Sequence, residues 1–299
     1  MKDKRFIGTG VAIITPFKNG DIDWTGLSAV IEHVVGGGVD FVVALGSTGE
    51  TATLNEMESR KILDYCIEKI DGRVPIVAGN FGGNDTKELV KKTSSYNFDG
   101  ISAILSSSPA YIKPSQEGIF LHYQQLIDYC EVPVILYNVP GRTRSNMEWE
   151  TTIRLAEYSK NCIGIKEASG DLIQTTRILK NKPDDFIVTS GDDEVALAMT
   201  TLGGDGVISV MANALPNPFS SMIRAALNGD YETARKLNFA TYDLHKWLYI
   251  EGNPVGIKSA MEILGICSNE VRLPLASLSK ANYANLSSVL SDVLAKIKK

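Results

Sequence analysis

The stretch from Val39 to Asn80 contains VDFVVALGS (39–47), EMESRKILDYCIEKI (56–70) and VPIVAGN (74–80), in that order. The two outer segments are nearly continuous runs of apolar, largely β-branched residues, the pattern of strands covered on both faces. The segment between them has helical periodicity, with Lys, Glu and Arg gathered on one face. Strand, helix, strand is a crossover unit, and parallel strands require such crossovers.

The same alternation extends in both directions. GTGVAIITPF begins at Gly8, FDGISAILSS at Phe98, VPVILYNVP at Val132, IGIKEAS at Ile163, FIVTSGDD at Phe186 and GDGVISVMAN at Gly204, with helical patterns such as TKELVKKTSSY (86–96) between runs. Eight consecutive βα units predict an α/β fold of the (β/α)8 TIM-barrel type. No Gly-rich GxGxxG turn opens the first helix, which argues against a doubly wound sheet. After Asn213 the strand signal stops, and ETARKLNFATYDLHKWLYI (232–250) and ANLSSVLSDVLAKIKK (284–299) continue as helix. The expected organisation is a catalytic barrel over residues 1–225 and a C-terminal helical extension over 226–299.

With 299 residues, 44% hydrophobic and 22% charged, the chain has ample apolar mass for a core. Thirty basic against 35 acidic residues leave a formal charge of -5, so no broad basic surface is implied and nucleic acid is not an expected partner. The four cysteines, Cys66, Cys130, Cys162 and Cys267, show no CxxC pair and read as buried reduced thiols. The apolar run in MKDKRFIGTGVAIITPF is short, glycine-interrupted and lacks an A-x-A cleavage site, so it reads as a first strand rather than a leader. No window approaches the length of a membrane span, and a cytoplasmic location is expected.

In such barrels the chemistry sits at the C-terminal ends of the strands. The polar strand ends are GSTGE (46–50), SSSPAY (106–111), YNVPGRT (137–143), KEASG (166–170), SGDD (190–193) and ISVMAN (208–213). Lys166 stands out as a charge inside an apolar strand, expected with Gly164 and Ala168 on the face opposite Ile163 and Ile165. Facing the interior, a desolvated neutral amine can attack a carbonyl, which is Schiff-base chemistry. The competing reading is a surface lysine paired with Glu167. Tyr137, also near a strand end, can pass the protons that imine formation requires. Ser47 and Thr48, with the backbone N–H groups beside them, suit a carboxylate, although such clusters also serve as plain turns. Arg142 can hold a carboxylate bidentately or anchor its loop. Tyr111, between Pro109 and Pro114, lies on a loop. Asp192 and Asp193 could suggest a metal. His33, His122 and His245 however fall in helical patterns away from strand ends, so the two carboxylates are expected to cap a helix start.

Taken in order, GSTGE, SPAYIKPSQEG, LYNVPGRT, IGIKEASGD, SGDD and GVISVMAN resemble the pyruvate-dependent class I aldolases, over the whole barrel and through the C-terminal helices. The resemblance implies a covalent imine between Lys166 and pyruvate, with no cofactor and no metal. It casts Tyr137 as proton donor and acceptor and Ser47 as a relay hydroxyl, usually threonine. Tyr111 becomes a relay tyrosine that crosses from a neighbouring subunit of a homotetramer. Thr48 would bind the pyruvate carboxylate, Ile208 and Gly191 would contact pyruvate, and Arg142 would hold the carboxylate of L-aspartate 4-semialdehyde. The implied reaction is aldol condensation of those two substrates to 4-hydroxy-tetrahydrodipicolinate, at the entry to lysine and diaminopimelate biosynthesis. Rival readings are cleavage of N-acetylneuraminate or a 2-keto-3-deoxy sugar acid, and a non-catalytic metabolite-binding regulator. Ser47 leans toward the sialic-acid branch. Arg142 leans more strongly toward condensation, because Arg is hard to replace at a bidentate site. The resemblance also implies a lysine-binding cleft at Asn84, Glu88, Thr51 and Ala52. Ser59 and Ala110 stand where inhibited members carry larger groups, and Glu56 is positioned to compensate.

Overall fold

The computed structural model describes residues 1–297; Lys298 and Lys299, the last two of the expected extension, lie outside the described residues. Eight parallel strands close on themselves: β1 (Gly8–Ala12), β2 (Phe41–Ala44), β3 (Ile76–Ala78), β4 (Ala103–Ser107), β5 (Val134–Asn138), β6 (Cys162–Glu167), β7 (Ile187–Ser190) and β8 (Gly206–Ser209). The expected (β/α)8 barrel is therefore present. Closure is made where β1 pairs with β8, Gly8 opposite Gly206 and Val11 opposite Ser209. Gly206 has φ +132, and a methyl group there would lie 1.9 Å from the carbonyl oxygen of Gly8, so the seam tolerates only glycine.

Two cores result from the alternation of side chains along buried strands. Ala12, Val43, Val77, Leu105, Ile135, Ile187 and Ile208 fill the barrel interior, with Phe6 stacked edge-on to Phe41 at its base. The opposite faces, including Val11, Val42, Ile104, Leu136, Ile165 and Val188, pack against the surrounding helices. Helix starts follow local chemistry. Asn55 and Glu58 form a reciprocal capping box on Glu56–Ile70, and Asp85, Ser115 and Asp171 cap the helices that follow them.

Asn213, just beyond β8, ties the seam: its Nδ2 donates to the Ala12 carbonyl at 2.8 Å and its Oδ1 accepts from Ile14 N–H at 3.1 Å. Asn213→Ala leaves both groups buried and unpaired and should destabilise the fold by about 1–3 kcal/mol for each. A lower urea midpoint at unchanged slope would show it, and an unshifted midpoint would refute it.

Helix Pro216–Leu227 packs on β1 and completes the ring. Helices Tyr231–Thr241, Val255–Ile263 and Lys280–Ile297 follow, and Leu248, Val255, Leu286, Leu290 and Val293 join the outer core rather than forming one of their own. The segment after Ile263 then crosses back to the barrel mouth. There Glu270 accepts from Asn19 N–H at 2.8 Å, and Arg272 bonds Glu58 through its two terminal guanidinium nitrogens at 2.6 and 2.9 Å. The helices contain no span long and apolar enough to cross a membrane among the described residues. The cysteines are unpaired; Cys66, Cys130 and Cys162 are buried and Cys267 half-buried, where burial pushes the Cys66 thiol up to about 12.

Candidate active site

Tyr137 on β5 is directly opposite Lys166 on β6, and Lys166 opposite Thr189 on β7. Both side chains point inward, with the Lys166 Nζ 4.6 Å from the Tyr137 ring centroid. Lys166 is buried and has no carboxylate within ion-pair distance among the described residues. Glu167, one residue on, faces the other way. Its oxygens accept from Asn138 Nδ2 at 3.0 Å, Gln174 Nε2 at 2.9 Å and Ser169 N–H at 2.7 Å. The surface Lys166–Glu167 pair considered from the sequence does not form.

One detail of β6 departs from the expected alternation. The register shifts between Val134 and Ile135, which pair with Cys162 and Gly164. The irregularity slips Ile163 toward the interior, where it packs against the barrel-interior cluster, while Ile165 keeps the outer face.

Above this pair opens a cavity of about 780 Å3, bordered by Thr48, Tyr137, Arg142, Lys166 and Gly191. A methyl group on Gly191 would lie 2.5 Å from Ala168 Cβ and 3.0 Å from Lys166 Cε, so glycine keeps the space beside the amine open. Ile208 lies in the interior core beneath. Ser47 is exposed and borders an adjoining cavity that shares Arg142. Thr48 is buried in a 3-10 turn, Ser47–Gly49, in which Gly49 N–H donates to the Gly46 carbonyl at 3.0 Å and Glu50 N–H to the Ser47 carbonyl at 3.1 Å. Arg142 is exposed on the one-turn helix Pro140–Thr143, its guanidinium 3.5 Å from the Asn253 carbonyl. Tyr111 does not reach this cavity within one chain. It is 88% exposed on a loop held by its own N–H to the Thr143 carbonyl at 3.0 Å and by Ala110 N–H to Asn84 Oδ1 at 2.8 Å. Its φ of 71, with 47 at Lys113, gives that loop two non-glycine left-handed residues.

Two expectations need correction. The Asp192–Asp193 pair does not cap the helix that follows. Asp193 is buried, and its Oδ2 accepts from Val210 and Met211 N–H at 3.0 and 2.8 Å, holding the turn after β8, while Asp192 closes its own turn through Glu194 N–H at 3.0 Å. Burial raises both carboxyl pKa values above the usual range. His245 is not remote either, because its helix carries it to the cavity wall with both ring nitrogens unpaired among the described residues. Burial lowers its pKa. Among the described residues no three His, Cys, Asp or Glu side chains are grouped to hold a metal.

Sequence reasoning missed Asn253, whose Nδ2 donates to Thr48 Oγ1 at 3.0 Å, and Tyr249, which also lines the cavity. The turn dipeptide Asn253-Pro254 within a helical stretch was the available signal.

To one side, Thr51, Asn84 and Glu88 border a separate cleft of about 530 Å3 with Glu56, Ser59, Arg60 and Lys92. Ala52 does not join them; it faces the cavity beside Ser47. Lys92 bonds the Asn80 carbonyl at 2.9 Å and lies over the Phe81 ring at 4.8 Å.

Residues 5–293 match the model of the Dihydrodipicolinate synthetase family. The chain is 45% identical over 297 residues to a 4-hydroxy-tetrahydrodipicolinate synthase of Parabacteroides distasonis, covering 99% of this chain and 100% of that one. It is 47% identical over 275 residues to the synthase of the same name from Cytophaga hutchinsonii, 92% of each chain. The solved dihydrodipicolinate synthase of Thermotoga maritima superposes with a TM-score of 0.94 at 36% identity, over 97% of this chain and 99% of that one. With a barrel that carries Lys166 and Tyr137 side by side at its mouth and matches of this extent, the chain belongs to the dihydrodipicolinate synthetase family.

Proposed function

We propose that Lys166 is the nucleophile of a Schiff-base aldol condensation and Tyr137 its proton carrier. The observation that carries this reading is the buried amine, in ion-pair contact with no carboxylate among the described residues, beside the tyrosine at the floor of an open cavity. The chain is a lyase of the class I aldolase type that condenses pyruvate with L-aspartate 4-semialdehyde to 4-hydroxy-tetrahydrodipicolinate, in the lysine and diaminopimelate pathway. The family's chemistry runs through the lysine imine and needs no cofactor.

The Lys166 amine adds to the pyruvate ketone and water leaves, with Tyr137 delivering and recovering protons. Loss of a methyl proton gives the enamine, whose carbon attacks the aldehyde. The amino group of the joined substrate then displaces the Lys166 amine, closing the ring and freeing the enzyme. Thr48 receives the pyruvate carboxylate, Arg142 the semialdehyde carboxylate, and Gly191 and Ile208 contact pyruvate. Ser47 continues the proton path to Tyr111 of a neighbouring copy. A coupled assay with purified protein tests the reading: turnover with aspartate semialdehyde supports it, and turnover only with sialic acid or a 2-keto-3-deoxy sugar acid overturns it.

Tyr111, almost fully exposed in one chain, supports a homotetramer in which it completes a partner's site. Sedimentation should show an oligomer, and fully active isolated monomers would refute the relay. A cytoplasmic location and a division near residue 225 are part of the same reading, as is the absence of nucleic-acid and membrane partners.

Inhibition by lysine should be weak. Arg60 and Lys92 border the cleft of Thr51, Asn84 and Glu88, and would repel the ligand's ammonium despite Glu56 and Glu88. Ser59 offers only a hydroxyl, and Ala110 no ring. Initial rates over a lysine series should show half-inhibition no lower than millimolar; a submillimolar value refutes this.

A further inference from the structure

The Ser47–Gly49 turn is held from the far end of the chain. Glu50, which ends the turn with a left-handed φ of 55, is buried together with Lys258, both side chains 0% exposed. Lys258 Nζ donates to Glu50 Oε1 and to the Glu270 carbonyl, the latter at 2.7 Å, and lies over the Phe17 ring at 4.2 Å. The other Glu50 oxygen accepts from Arg272 N–H at 3.0 Å. On the opposite side of the turn, Asn253 donates to the Thr48 hydroxyl at 3.0 Å, and the Lys258 N–H bonds the Pro254 carbonyl at 2.9 Å. Thr48 and Glu50, two residues apart, are therefore gripped by Asn253 and Lys258 at the start of one helix, Val255–Ile263.

A buried carboxylate opposite a buried ammonium fixes geometry because each charge must keep its partners. The grip acts on the turn that carries Thr48 and leaves Lys166 and Tyr137, on β6 and β5, untouched.

We infer that the Glu50–Lys258 pair is a positioning device that sets the carboxylate-binding turn for pyruvate, and that pyruvate binding is thereby coupled to the docking of residues 253–273 across the barrel mouth. The inference rests on Thr48 receiving the pyruvate carboxylate.

Glu50→Gln keeps shape and removes charge. In the folded variant the KM for pyruvate should rise tenfold or more, kcat should stay within about threefold, and the KM for aspartate semialdehyde should be nearly unchanged. The half-saturating pyruvate for borohydride trapping should rise by the same factor. A merely structural role would reduce the trappable fraction at unchanged half-saturation, and that result overturns the inference. If the single variant does not fold, Glu50→Gln/Lys258→Met removes both charges, and a wild-type pyruvate KM in it is likewise fatal. On the unmodified protein, hydrogen exchange with and without pyruvate should show protection in peptides covering residues 46–54 and 254–273 together. Protection confined to the strand ends overturns the coupling. Failure of the underlying reading looks different, because pyruvate would then leave no reducible adduct on the unmodified enzyme.

Discussion

Lys166→Ala enzyme treated with pyruvate and borohydride should gain no mass, whereas the unmodified chain should gain a pyruvate-derived adduct on the peptide containing Lys166 and lose activity. The imine is the only step that makes the methyl carbon of pyruvate nucleophilic, so kcat/KM should fall on the order of 10^4-fold or more, the scale set by removal of a covalent nucleophile. Folding should survive, because Lys166 makes no ion pair among the described residues and the buried Asp193 carboxylate, which feels its charge, keeps its bonds from Val210 and Met211 N–H. An adduct on another lysine, or a tenth of the activity remaining, would sink the assignment. Lys258 is the informative control, since it too is buried but is bonded to Glu50 and Glu270 and is not free to react.

Tyr137→Phe should lower kcat by about 10^2- to 10^4-fold, the range of a positioned general acid and base. The ring remains to pack beside Lys166, so pyruvate should still bind while the rate of adduct formation at saturating pyruvate drops in parallel with kcat. A loss below about fivefold would mean that another group or water carries the proton in Tyr137's place.

The barrel was legible because each strand is buried on both faces, which writes an uninterrupted apolar run into the sequence. VDFVVALGS and VPVILYNVP could hardly be read otherwise. Lys166 was legible for the complementary reason, as a charge where the fold demands apolar groups. The slipped alternation at Ile163 was not, because a register shift against Val134 and Ile135 belongs to the pairing of two strands and leaves no mark in either one. Tyr249 and Asn253 were missed, and His245 was placed away from the strand ends, for a similar reason. Helical periodicity shows which face of a helix is buried, but not that the helix ends over the mouth of a barrel built by distant strands. Asp193 does not cap a helix start as expected, because its hydrogen bonds run to Val210 and Met211 on another strand end, a pairing its own stretch of sequence does not show.

The contacts that close the molecule join residues far apart in the chain, 199 positions from Ile14 to Asn213 and 208 from Glu50 to Lys258. Synthesis runs from the N-terminus, so β1 and the Ser47–Gly49 turn exist long before the groups that hold them. Until β8 arrives, β1 presents an unpaired strand edge, and a second unfinished chain can pair with it. Contacts of such separation form late, after loop-closure entropy has been overcome. Refolding at high concentration should therefore lose chains to aggregation before closure, and activity should return as the last observable event, after helix content has recovered.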